Sequence, residues 1–214
     1  MLLNETLEEA KKKFVAKTPK DVHEEMFRMI REQQESGIVY GLQERQQAKD
    51  FTLKNSAGTS VNLFEQLSQG PVVLTFYRGG WCPFCNLQLR AYQNILPQIE
   101  ELGGQLIAIS PQSPDHTLSQ QEKEQLSFQV LSDPNGHVAA SYQVLFELPP
   151  YIQEITANRI GVNLIEYNAA EKWILPIPST FIIDAAGVVR FAYVNPDFMQ
   201  RLEPQELLEQ LRMD

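Results

Sequence analysis

The chain is short of the residues that build metal sites and disulfide scaffolds. Its 214 residues include 2 cysteines and 3 histidines. Two cysteines cannot staple a fold of this size, so a hydrophobic core must stabilise it. His23, His116 and His137 are scattered, and no second paired motif joins them to the cysteines. A structural zinc needs about four ligands, so no metal is expected, and no organic cofactor is implied. Positive charge is scarce too: 18 Lys and Arg stand against 27 Asp and Glu, a net charge of −9. Such a surface repels phosphate backbones and anionic bilayers, so neither nucleic acid nor membrane is an expected partner. No apolar run is long enough to span a bilayer. The opening "MLLNETLEEAKKKF" lacks the basic-then-apolar order of a secretory leader, and a cytoplasmic location is expected. Internal repeats and low-complexity segments are absent as well.

What is present is a hydrophobic fraction of 43%, enough for a real core. Residues 1–49 read as a helical arm. Leu3, Leu7, Ala10 and Phe14 recur at helical spacing. A second helix is expected from Thr18 as N-cap and Pro19 at its first position, with Val22, Met26, Met29 and Ile30 on one face and a stop at Ser36-Gly37. That face either packs on the rest of the chain or pairs two copies as a homodimer.

Residues 50–214 read as one α/β domain. "FTLKNSAGTSVNLFEQL" gives a hairpin and a short helix. The runs Pro71–Tyr77, Gly104–Ser110 and Phe128–Asp133 read as buried strands, the first as a parallel one. A helix follows the cysteines, "SPDHTLSQQEKEQL" reads as a polar surface helix, and "NGHVAASYQV" as a short one. Ser179–Val194 gives two strands around an "AAG" turn, and "EPQELLEQLRM" a closing helix. This alternation predicts a three-layer α/β/α sandwich with an N-terminal helical extension. Residues 147–174 read as an insert that either shapes access to a site or decorates the surface.

Both cysteines lie in "TFYRGGWCPFCNLQLRAY". Cys85, Leu89, Tyr92, Leu96 and Ile99 fall on one helical face, so Cys85 should point inward. Cys82, one turn earlier, should sit at the exposed lip, where unpaired backbone N–H groups favour a thiolate. Gly79 and Gly80 permit a tight turn, Pro83 suits a first helical turn, and Pro97 is expected to kink the helix. A Cys-x-x-Cys that opens a helix after a buried strand favours redox work over inert packing. Arg78 could stabilise a thiolate or stand in solvent. Trp81 could form an apolar docking lip or pack beside the loop. Asp133 and Asp184 read as turn or cap residues.

The span from Asp50 to Val194, with "DFTLKNSAGTSVNLFEQLSQGPVVLTFYRGGWCPFC", "LIAISPQSPDH", "FQVLSDPNGHVAASYQV" and "PSTFIIDAAGVVRF", resembles the peroxiredoxin-like proteins of the AhpC/TSA family. The resemblance implies a thioredoxin-like fold with a mixed central sheet. It also implies a thiol-dependent oxidoreductase acting on hydroperoxides or disulfides and recycled by a thioredoxin- or glutathione-type donor. The same fold could instead serve as a redox-sensing or binding module. The Pro-x-x-x-Thr/Ser-x-x-Cys signature of that family puts its proline at Arg78, its threonine at Cys82 and its peroxidatic cysteine at Cys85. The Trp-Cys-x-x-Cys of thioredoxins instead makes Cys82 the attacking thiol and Cys85 the resolving one. Helix geometry favours Cys82. Pro178 stands where peroxiredoxins usually carry an arginine, and it matches the substrate-facing cis-proline of thioredoxins.

Overall fold

The computed structural model describes residues 2–213. Its central sheet is built from β1 (Thr52–Asn55), β2 (Ser60–Asn62), β3 (Val72–Phe76), β4 (Gln105–Ser110), β5 (Gln129–Ser132), β8 (Ser179–Ile183) and β9 (Val189–Val194). These seven strands lie in the order β2-β1-β5-β4-β3-β8-β9. β3, β4 and β5 run parallel, while β1, β8 and β9 pair antiparallel, so the sheet is mixed. β3 lies between β4 and β8 with all five residues buried, which explains its unbroken apolar run.

Alternation along the strands splits the core into two layers. Val73, Leu106, Ala108, Val130 and Ile182 face one side. There they meet α1 (Leu3–Lys17), α2 (Lys20–Glu35), α4 (Pro83–Glu101) and α9 (Pro204–Arg212). Val72, Leu74, Phe76, Ile107, Ile109 and Leu131 face the other, against α3 (Leu63–Leu67) and α6 (His137–Ser141). The three-layer expectation holds. The face of Val22, Met26, Met29 and Ile30 is buried within the single chain, in the same cluster as Cys85 and Leu89. α4 runs on past Pro97. No helix among the described residues is long and apolar enough to cross a membrane.

Three expectations need correction. Thr18 ends α1, where its hydroxyl donates to the Phe14 carbonyl at 2.7 Å, and Pro19 is the N-cap of α2. α5 (Pro114–Glu124) is no mere surface helix, because Thr117, Gln120 and Glu124 are buried. Their polarity is satisfied internally by Ser132, Tyr77 and Arg90, so a polar stripe here faces inward. The described residues contain no cis peptide bond, so Ile177-Pro178 is trans. The chain there passes straight from β7 (Ile174–Pro176) into β8, and an extended trans linkage serves that path.

The insert is a brace. β6 (Leu145–Glu147) pairs with β7, and between them lie α7 (Pro150–Ile155), a π-helical turn (Thr156–Ile160) and α8 (Leu164–Asn168). Tyr151 on α7 donates its hydroxyl to Glu32 on α2 at 2.5 Å and lies under Arg28. Tyr167 on α8 stacks on His116 at 3.7 Å between ring centres, at the start of α5.

Candidate active site: a buried dithiol between two arginines

The site begins where β3 ends. Gly79 has φ +146, and a Cβ there would lie 2.6 Å from Trp81 Nε1, so this turn needs glycine. Cys82 is the N-cap of α4. Its carbonyl accepts from the N–H groups of Cys85 and Asn86 at 3.1 and 3.2 Å. Cys85 follows in the first turn, facing the core as its spacing predicts.

Both thiols are free and buried, with Cys82 1% and Cys85 0% exposed. The exposed lip expected for Cys82 is therefore absent. Arg78 supplies the cover. Its guanidinium is sandwiched between the rings of Trp81 and Phe198, at 4.8 and 4.0 Å from their centres. Its Nη1 lies 4.0 Å from Cys82 Sγ, and the residue is 3% exposed, so the solvated reading of Arg78 is excluded. Trp81 packs beside the loop as the outer plate of this sandwich.

A second arginine joins the site. Arg201, in the segment before α9, is 2% exposed and points Nη2 at Cys85 Sγ at 3.5 Å. Its Nε donates to Gln88 Oε1 at 2.7 Å, and its Nη1 to the carbonyls of Gln200 and Phe198. Gln88 lies one helical turn after Cys85. A lone arginine in "DFMQRLEPQE", 116 residues after the cysteine it serves, leaves no spacing signal. Its one trace is a charge set among apolar residues that turn out to be buried.

Among the described residues, neither Arg78 nor Arg201 is ion-paired to a carboxylate. Two cations held out of water carry a desolvation cost that an anion offsets. The group placed to be that anion is a thiolate. Burial opposes ionisation of Cys85. The Cys82 hydrogen bond, the charges of Arg201 and Arg78 and the Arg78 backbone N–H together outweigh it, and the Cys85 pKa falls below the ordinary thiol range. Cys82 moves the other way: burial first, then its hydrogen bond to Cys85 and that neighbour's charge, keep it protonated.

Behind the loop lies a closed network of amides. Gln112 accepts from the Gly80 N–H at 2.8 Å and donates to Tyr77 and Gln120. Gln120 accepts from the Tyr77 hydroxyl and donates to Asn86, which in turn donates to the Gly80 carbonyl. The inward polar face of α5 thus fixes both the turn and the start of α4. In front, Pro178 lines a narrow crevice with Arg78, Phe198, Pro196, Met29 and Gln33. Asp133 and Asp184 are cap and turn residues as expected, accepting backbone N–H groups of Ala139 and of Ala186 and Val188. No metal-ligating cluster occurs among the described residues.

A mixed α/β sandwich with two cysteines opening the helix after its central strand defines a thioredoxin-fold thiol protein. The chain belongs to the AhpC/TSA family, whose sequence pattern matches residues 45–192. It is similar to chloroplastic peroxiredoxin Q of Suaeda salsa, 29% identical over 136 residues, covering 62% of this chain and 63% of that one. It is also similar to a putative peroxiredoxin bcp of Coxiella burnetii, 28% identical over 144 residues, covering 67% and 83%. The chain spans less than two thirds of the length of the plant relatives, 56% for that of Populus jackii. Peroxidoxin BcpB from Mycobacterium tuberculosis shares the fold, with TM-score 0.63, 23% identity and coverage of 80% and 97%. A cysteine-to-serine mutant of PrxQ from Xylella fastidiosa shares it too, with TM-score 0.63, 19% identity and coverage of 81% and 98%.

Proposed function

We propose that this protein is a thiol peroxidase in which Cys85 attacks and Cys82 resolves. The observation that carries the reading is the pair of buried arginines without carboxylate partners at the dithiol, Arg201 against the Cys85 sulfur and Arg78 against that of Cys82. The Cys85 thiolate attacks the terminal oxygen of a hydroperoxide. The O–O bond breaks, the sulfur becomes a sulfenic acid, and the leaving oxygen departs as an alcohol or water after taking a proton. Arg78 and Arg201 are the donors available to the developing charge. The Cys82 thiol then condenses with the sulfenic acid, releasing water and forming a Cys82–Cys85 disulfide within one chain. One thioredoxin-type dithiol, or two glutathione-type thiols, supplies two electrons and two protons to restore the pair and is itself oxidised to a disulfide. Trp81, half-buried beside the loop, is the side chain that such a partner would meet, with Pro178 buried behind it, and two free thiols suit a reducing compartment such as the cytoplasm.

Substitution of each residue in turn tests this. Cys85→Ser should abolish peroxide consumption with thioredoxin recycling. Arg201→Ala should lower kcat/KM by about a hundredfold, as loss of a charged donor to the reacting atoms does. A Cys85→Ser variant that keeps turning over while Cys82→Ser is inert would reverse the two sulfurs. A wild type that oxidises once and stops would mark a redox sensor.

A further inference from the structure

Arg201 lies in a segment with no regular secondary structure, Arg201-Leu202-Glu203. The Arg201 and Leu202 backbone groups have no helix or strand ladder to hold them, and every residue of the segment is tied to a distant element. The Asn4 side chain grips Arg201 from both sides: Nδ2 donates to the Arg201 carbonyl at 2.8 Å, and Oδ1 accepts from the Arg201 N–H at 3.1 Å. The Leu202 carbonyl accepts from the Tyr92 hydroxyl at 3.1 Å. The Glu203 carboxylate accepts from the backbone N–H groups of Leu3 and Asn4, at 3.0 and 2.6 Å. Those N–H groups belong to the first turn of α1 and have no partner within the helix, so a carboxylate there is doubly favourable.

We propose that Asn4, with Glu203, is a positioning residue of the thiol site, holding the Arg201 backbone so that its guanidinium stays against Cys85. This rests on the reading of Cys85 as a thiolate held by Arg201. The first turn of the N-terminal arm then becomes part of the active-site machinery, although it touches no sulfur. The physical requirement is strict. A charge–charge interaction through a buried site falls quickly if one partner drifts, and an arginine on an untethered loop can leave for water.

The test is a titration of the Cys85 thiolate in the full chain, followed by its ultraviolet absorbance and referenced to Cys85→Ser. Cys82, Arg78, Arg201 and Tyr77 face the titrating sulfur and are unchanged in the variants except where stated. Asn4→Ala should move the midpoint up by about half to one pH unit, and Arg201→Ala by more. Because Asn4 acts through Arg201, the double variant should match Arg201→Ala alone. Glu203→Gln, which keeps an acceptor but loses the charge, should give a smaller shift in the same direction. If Asn4→Ala lowers the melting temperature but leaves the titration of Cys85 in place while Arg201→Ala shifts it, the contact is merely structural and the inference fails. If Arg201→Ala itself leaves the titration unmoved, the thiolate reading fails and this inference with it.

Discussion

Cys82 stands at the signature position that peroxiredoxins fill with a hydroxyl, and its thiol helps to hold the Cys85 pKa down. On the proposed order of attack that one sulfur has two jobs, donor before attack and nucleophile after it, and a substitution can part them. Cys82→Thr keeps a donor and loses the resolving sulfur. We expect Cys85 to stay acidic and to react once with peroxide, leaving a sulfenic acid that dimedone labels and mass spectrometry locates. An unlabelled variant would mean that Cys82 itself attacks. The sequence revealed the pair and its setting but not the order of the sulfurs. Helix position favours Cys82, whereas the proposed order rests on burial and two arginines, and one of those comes from the far end of the chain.

At the scale of elements, periodicity served well wherever the buried face is apolar. β3, β4, α2 and α9 all emerged close to their observed bounds. It failed on α5, where Thr117, Gln120 and Glu124 share one buried face. A hydrophobicity pattern cannot distinguish a polar stripe facing water from one facing polar partners, because it records what a side chain is and not what it meets. The arm was legible as two helices, but its docking was not, since an amphipathic face does not name its cover. Docking has an energetic signature. Met26 is 2% exposed in the interface of α2, so Met26→Ala should cost about 2–5 kcal/mol in denaturant unfolding. The Asp21–Arg159 pair, which joins α2 to the insert at 3.1 Å, is open to water. Asp21→Asn should cost less than about 1 kcal/mol. Equal costs would mean that the insert's charges, and not the buried face, hold the arm.

Across the whole molecule, the site couples folding to pH. The folded-state pKa of Cys85 is depressed, whereas in the unfolded chain a thiol titrates near about 8.5. Between those two values the unfolded chain binds more protons, so stability rises with pH, and it falls away as pH drops through the folded value. Cys82, held protonated, adds nothing until pH exceeds the unfolded value and then works in the opposite sense. The reduced protein should therefore take up about one proton on unfolding near neutral pH. Denaturant midpoints measured across that window should climb for the wild type and stay flat for Cys85→Ser. A flat wild-type profile would mean that Cys85 is an ordinary thiol in the folded protein.

The 116 residues between Cys85 and Arg201 also have a consequence in time. A ribosome releases the dithiol segment long before residue 201 emerges, and until then the sulfurs are ordinary, mostly protonated thiols. On the proposed reading, reactivity is thus withheld from the nascent chain. The thiolate would form only when the sandwich closes and the late arginine seats itself, and an incomplete chain would be spared the oxidant it meets once folded.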